Sequence, residues 1–234
     1  MIEVHARFRV QESLVSSGKV VFVFTALGTK ISTYRLFVRA LNKCGYSVII
    51  YDYPISLMVR AQLDEWHGFY KDIVNDAQAR IQRLSGEGVS SFSAHGTSMG
   101  TLVAGLLGRT TPQISHTVLN LTYGDLARNI YTSKPPRRAK EKFVKQGITE
   151  AMLAKEFSYI DPVKTAAEFK DKKVLLYLSK PDSILDYNDS LRTKKALEQT
   201  GALLTYYENK RLGHFLGGAK NISGIKKLIA FLES

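Results

Sequence analysis

The residues best suited to chemistry are Gly96-Thr97-Ser98-Met99-Gly100, a G-x-S-x-G pattern centred on a serine. Residues 89–94 before it are β-branched and aromatic and read as a buried strand. Residues 101–107 after it are apolar with small side chains and read as a helix packed tightly on a sheet. It is this strand–turn–helix setting that gives the pattern meaning. A serine hydroxyl is a weak nucleophile, so it must stand clear of crowding, beside a base and near donors for an oxyanion. A sharp turn lifts Ser98 out of the backbone in a strained conformation that only its surroundings can enforce. Gly96 and Gly100 flank it because a Cβ at either place is expected to collide with the turn or the neighbouring strand. A helix starting at Ser98 points its amides at the site, so the Met99 N–H is the expected donor to developing negative charge.

On this motif the chain resembles the α/β-hydrolase family, and the resemblance extends over nearly its whole length. It implies a mostly parallel central sheet flanked by helices, with nucleophile, acid and histidine arriving in that chain order. It places the acid in the loop after the strand at 173–179, where Asp182 precedes Ile184 and Leu185. Asp186 competes from the same loop, and Asp125 from the end of the preceding strand. The histidine belongs in the loop after the last strand, at Gly213-His214. A second oxyanion donor belongs in the loop after the strand at 19–25, and Leu27 is the residue assigned. Thr25-Ala26 stands where the family commonly has His-Gly, a departure that a backbone donor tolerates. A helical cap is implied at about residues 126–160, inserted in a single α/β domain covering 1–234.

The elements that must position these groups follow from periodicity. The N-terminus alternates Val4, Ala6, Phe8 and Val10 with polar residues, a strand pattern and not a signal peptide. Buried strands are expected at 19–25, 46–51, 114–122, 173–179 and 202–208. Ser32 can cap a helix to Lys43, stopped by Gly45, with Phe37, Ala40, Leu41 and Cys44 on its inner face. Residues 64–84 place Trp66, Phe69, Ile73, Ala77, Ile81 and Leu84 at helical spacing. Asp161-Pro162 reads as a helix start running to Phe169, and 188–200 and 222–232 as further helices. Asp52 precedes the serine and reads as closing a turn, while His67 and His95 read as packed or surface histidines.

The chain has 234 residues, 44% of them hydrophobic and 23% charged, ordinary values for one globular α/β domain. No apolar run approaches the roughly 18 residues of a membrane span, and a cytoplasmic setting is expected. The single cysteine, Cys44, permits no internal disulfide and reads as a small buried hydrophobe. The net charge of +12 comes without any nucleic-acid-binding signature, so no nucleic-acid partner is expected. Within the cap, Arg137, Arg138, Lys140, Lys142 and Lys145 read as a solvated face or as a guide for an anionic substrate or surface.

Serine at the elbow excludes the family's dehalogenases and epoxide hydrolases, which carry aspartate there. The expected activity is hydrolysis of carboxylic esters by Ser98, Asp182 and His214 through an acyl-enzyme, with no cofactor and no metal. Leu27, Met99, Phe215 and Leu216 suggest an apolar substrate pocket. Thioesterase, amidase or peptidase, lactonase and carbon–carbon hydrolase chemistry share the scaffold, as does a catalytically silent binding protein.

Overall fold

The structure, a computed structural model, describes residues 2–60, 62–132 and 137–234, with the side chains of Met58, Val59, Arg137 and Arg138 outside that description. The N-terminal alternation folds back on itself instead of forming one strand. β1 (Ile2–Val4) pairs antiparallel with β2 (Arg9–Ser13), because the intervening residues turn where the His5 N–H donates to the Phe8 carbonyl at 2.9 Å. The remaining strands are β3 (Lys19–Phe24), β4 (Ser47–Asp52), β5 (Ser91–Thr97), β6 (Ile114–Asn120), β7 (Lys173–Ser179) and β8 (Leu203–Asn209). Together they make a sheet of order β1-β2-β4-β3-β5-β6-β7-β8 in which β3 to β8 are mutually parallel.

β3, β4 and β7 read as nearly unbroken apolar runs because both of their faces are covered. The strand expected to be buried at 202–208 is instead the edge strand β8, with Leu203 and Tyr206 exposed. Val20, Phe22 and Phe24 enter one core with the buried residues of α3 (Leu63–Gly86), α4 (Gly100–Thr110) and α8 (Tyr187–Gln199). Val21 and Val23 enter the other with α1 (Arg35–Lys43) and α10 (Ile225–Leu232). Each fully buried aliphatic or aromatic side chain contributes about 1.5–3 kcal/mol, so the two layers fix the sheet firmly. The short α2 (Ser56–Arg60) follows β4, and α9 (His214–Ser223) precedes α10, the break falling at Gly224.

Between β6 and β7 lie α5 (Leu126–Thr132), α6 (Arg137–Lys145) and α7 (Glu150–Glu156). Their apolar residues pack onto α3. The Trp66 ring lies 5.6 Å from Phe143 and 5.4 Å from Phe157, while its indole N–H donates to the Leu57 carbonyl at 2.7 Å. His67 stacks on Phe157 at 4.8 Å and meets the Tyr159 hydroxyl at 3.2 Å, a packing role.

Several local expectations are corrected. Cys44 is exposed, because it falls after the last turn of α1 instead of on its inner face. Ser32 caps nothing. A 3-10 turn at Ile31–Tyr34 precedes α1, and the Ile31 N–H is held instead by the buried Asp52 carboxylate at 2.8 Å. Asp161 accepts the N–H groups of Val163 and Lys164, yet only a 3-10 turn at Ala166–Phe169 follows where a helix was expected. The expected final helix at 222–232 is two helices, with its start divided at Gly224.

Candidate active site

Ser98 sits at the tip of the β5–α4 turn with φ of 52°, left-handed backbone that a side chain tolerates only when enforced. That conformation also explains why α4 begins at Gly100 and not at Ser98. The enforcement is visible in the flanking glycines. A Cβ on Gly96 would lie 2.2 Å from the Gly100 carbonyl oxygen, and one on Gly100 would lie 2.3 Å from the Phe24 carbonyl oxygen. The turn is held from both sides: the Ser98 N–H donates to the Asn120 carbonyl at 2.9 Å, and the Thr101 hydroxyl donates to the Ser98 carbonyl at 2.6 Å.

His214 opens α9, as its first residue, and is not in a free loop. The loop before it is fixed by Asn209, whose side-chain oxygen accepts the N–H groups of Arg211 and Leu212, and by the Ser179 hydroxyl on the Leu212 carbonyl. His214 Nε2 lies 3.0 Å from Ser98 Oγ, and Nδ1 lies 2.7 Å from Asp182 Oδ2. A carboxylate only accepts, so this arrangement puts the imidazole proton on Nδ1 and leaves Nε2 to accept from serine. The second oxygen of Asp182 accepts the N–H groups of Ile184 and Leu185 at 2.8 and 2.9 Å, which anchors the carboxylate after β7. The three residues therefore form one hydrogen-bonded line, and the side chains of Asp182 and His214 are almost completely buried.

The competing carboxylates point elsewhere. Asp186 caps α8 through the Asn188 N–H at 2.8 Å, and Asp125 accepts the Arg128 N–H at 2.9 Å at the start of α5. His95, one strand residue from the elbow, is fully buried beside Phe37, and burial pushes its imidazole down to about 4. It stays neutral and lies apart from the line.

Met99 and Leu27 both present unused amides: neither N–H meets an acceptor among the described residues. In the 25–29 loop the neighbouring amides are committed, Gly28 to the Tyr53 carbonyl and Thr29 to the Ala26 carbonyl. Buried Tyr34 lines the cavity beside Ala26 and Thr97.

The line opens into a cavity of about 700 Å³. Its floor is Ser98, Thr97 and His214, and its walls include Leu27, Leu121, Tyr123, Ile130 and Ile184. A second part runs between a stripe of α1 (Leu36, Phe37, Ala40) and a stripe of α9 (Ala219, Ile222). Phe215 lines it. Leu216, the next residue on α9, does not, and is exposed to solvent. Of the basic run in α6, Lys140 donates to the Tyr131 carbonyl, and Lys142 and Lys145 are exposed away from the lining. Residues 133–136 and the side chains of Arg137 and Arg138 lie outside the described residues.

Three residues with a hand in the site carried no pattern in the sequence. Tyr123 is buried and lines the cavity with Ser98, and burial pushes its phenol up to about 12. Tyr34 is buried and lines the cavity beside Ala26, Leu27 and Thr29. Asn120 ties the elbow to α9, donating to Thr97 Oγ1 and to the Gly218 carbonyl, both at 3.3 Å, and accepting from Asn221 at 2.9 Å. A polar residue at the end of a buried strand is the only signal for it.

No protein-family model and no curated protein matches the chain. Solved structures do. A lipase in an open form superposes with a TM-score of 0.66 at 13% identity, over 97% of this chain and 93% of that one. A thermostable carboxyl esterase from Bacillus coagulans gives 0.65 at 13% identity, over 97% and 93%. The acylaminoacyl peptidase of Pyrococcus horikoshii gives 0.73 at 14% identity, over 97% of this chain and 39% of that longer one. Sheet order, the strand–turn–helix elbow and these superpositions agree that the chain has the α/β-hydrolase fold.

Proposed function

We propose that the protein is a serine hydrolase of carboxylic esters with an apolar chain. The observation that carries this reading is the continuous hydrogen-bonded line Ser98–His214–Asp182 at the floor of an apolar cavity. The superposed esterases and lipases support the same class.

In this mechanism His214 Nε2 takes the Ser98 proton as Oγ attacks the carbonyl carbon. Asp182 holds the tautomer and stabilises the imidazolium that forms. The free amides of Met99 and Leu27 receive the oxyanion, each such donor contributing on the order of 3 kcal/mol in the transition state. His214 then returns the proton to the leaving alcohol, and a water activated by the same nitrogen releases the acid and restores Ser98. The insertion α5–α7 acts as a cap in this reading, since Asn129 and Ile130 of α5 form part of the cavity wall. An apolar lining favours the ester of an aliphatic acid or alcohol over a peptide, which needs polar partners for its backbone.

The test is hydrolysis of p-nitrophenyl esters, thioesters and anilides by the wild type and by Ser98→Ala. Ester turnover that falls by roughly four orders of magnitude or more in the variant is the expected result. Preferential cleavage of thioesters or anilides redirects the reading to those substrates. A folded wild type that cleaves none of them leaves a binding protein on a hydrolase fold.

A further inference from the structure

The rim of the cavity combines two features that the floor lacks. Its large apolar side chains stand in solvent: Phe215 is 77% exposed, Leu36 75%, Leu216 67% and Ile55 61%. They come from α9, α1 and the segment before α2, and three of the four also line the cavity. The helices that carry them are basic and hold no acidic residue. α1 has Arg35, Arg39 and Lys43, and α9 has Lys220.

The spacing sets these charges beside the apolar tips. Arg39 and Lys43 lie three and seven residues after Leu36 on α1, and Lys220 lies four after Leu216 on α9, so each shares a stripe with an exposed leucine. All of them are exposed, and among the described residues none of Arg39, Lys43 and Lys220 is paired with a carboxylate. Some other cations are paired, Arg9 with Asp52 and Arg80 with Glu3, Glu12 and Asp76. Unpaired positive charge next to exposed aliphatic groups matches a surface that is anionic at its face and hydrocarbon beneath. A nucleic acid offers the charge without the hydrocarbon.

We propose that this rim, Leu36, Ile55, Phe215 and Leu216 with Arg39, Lys43 and Lys220, docks the protein on an anionic phospholipid membrane. Docking there sets the mouth of the cavity against the lipid, so that an alkyl chain leaving the bilayer passes between α1 and α9 toward Ser98. The docking surface stands apart from the catalytic reading, and its test is run on a protein that cannot turn over.

The full chain carrying Ser98→Ala is sedimented with vesicles of phosphatidylcholine alone and of equimolar phosphatidylcholine and phosphatidylglycerol. Salt-sensitive binding to the anionic vesicles and little to the neutral ones is expected. The pair Arg39→Glu with Lys43→Glu should weaken it at least tenfold, at roughly fivefold per charge lost near the surface. Leu36→Ser with Leu216→Ser should weaken it similarly without changing net charge. Lys142→Glu with Lys145→Glu, on α6, is the control of equal charge change and should weaken it far less than the rim pair. All variants are checked for an unchanged thermal midpoint. Equal binding to both vesicles, no binding, rim variants that bind like their parent, or the α6 pair matching the rim pair would each overturn the proposal. Concentration-dependent dimerisation abolished by the leucine pair, without vesicle binding, would assign the rim to a second copy of the chain instead.

Discussion

Ser98 and Leu36 line the same cavity, yet almost everything around Ser98 constrains it and almost nothing around Leu36 does. The serine turn leaves no room for a Cβ at Gly96 or Gly100, and hydrogen bonds from β6 and α4 close on it. The histidine and the carboxylate are anchored in the same manner, through loop amides after β7 and β8. Leu36 keeps its place only through its helix, with three-quarters of its surface in water. Reaction geometry must hold to fractions of an ångström, so it rests on backbone that cannot relax. Selectivity and docking depend on shape and charge at the rim, where side chains can change without disturbing the sheet.

The sharpest way to break this contrast is to change hydrogen bonding at the floor without changing its shape. Asp182→Asn should leave the thermal midpoint nearly unaltered and lower kcat by about three to four orders of magnitude, because the wrong imidazole tautomer is favoured. Asp186→Asn, made at the α8 cap, should leave kcat nearly intact. The reverse ranking would move the acid to Asp186.

Next in size is an effect of burial just behind the floor. His95 is neutral in the folded protein, its imidazole pushed down to about 4, whereas in the unfolded chain it takes a proton near its ordinary 6.5. Between those values the unfolded state binds more protons, so stability is complete above about pH 6.5 and is lost as pH falls toward 4. The expected loss across that window is about 3 kcal/mol. His95→Leu should flatten this limb of the stability curve, measured by urea unfolding at successive pH values. An unchanged slope would show that other groups set it.

The smallest effect belongs to the side-chain walls. Ala40→Phe, in the part of the cavity between α1 and α9, should lower the ratio of kcat/KM for octanoyl over acetyl esters by about tenfold. Running alkyl acetates beside the acyl series tells whether the acid or the alcohol side of the ester enters there. A ratio unchanged in both series would place the chain against α5 instead.

What was legible in the sequence divides along the same line. The elbow could be read directly because its requirement is local: two glycines, a serine, a strand before and a helix after. β3, β4 and β7 were legible as nearly unbroken apolar runs, and α3 as a long stripe of helical spacing. Asp182 and His214 were named through resemblance alone, since nothing near either residue in the chain announces that β7 and β8 deliver them to one place. Tyr123 and Asn120 were missed because their contacts are long-range and their types ordinary. The turn after β1 was missed because alternation continues through it, and the short turn after Asp161 because an Asp-Pro start specifies a cap and not a length. Phe215 and Leu216 read as substrate pocket, and nothing in the sequence joined them to Leu36 and Ile55 as one exposed rim.

The most direct test of the account is intact-mass analysis of the wild type after reaction with a fluorophosphonate, beside His214→Ala and Ser98→Ala. One adduct per wild-type chain, mapped to Ser98, is expected, greatly slowed in His214→Ala and absent from Ser98→Ala. A folded wild type that takes up no label, or carries it on another residue, would contradict it.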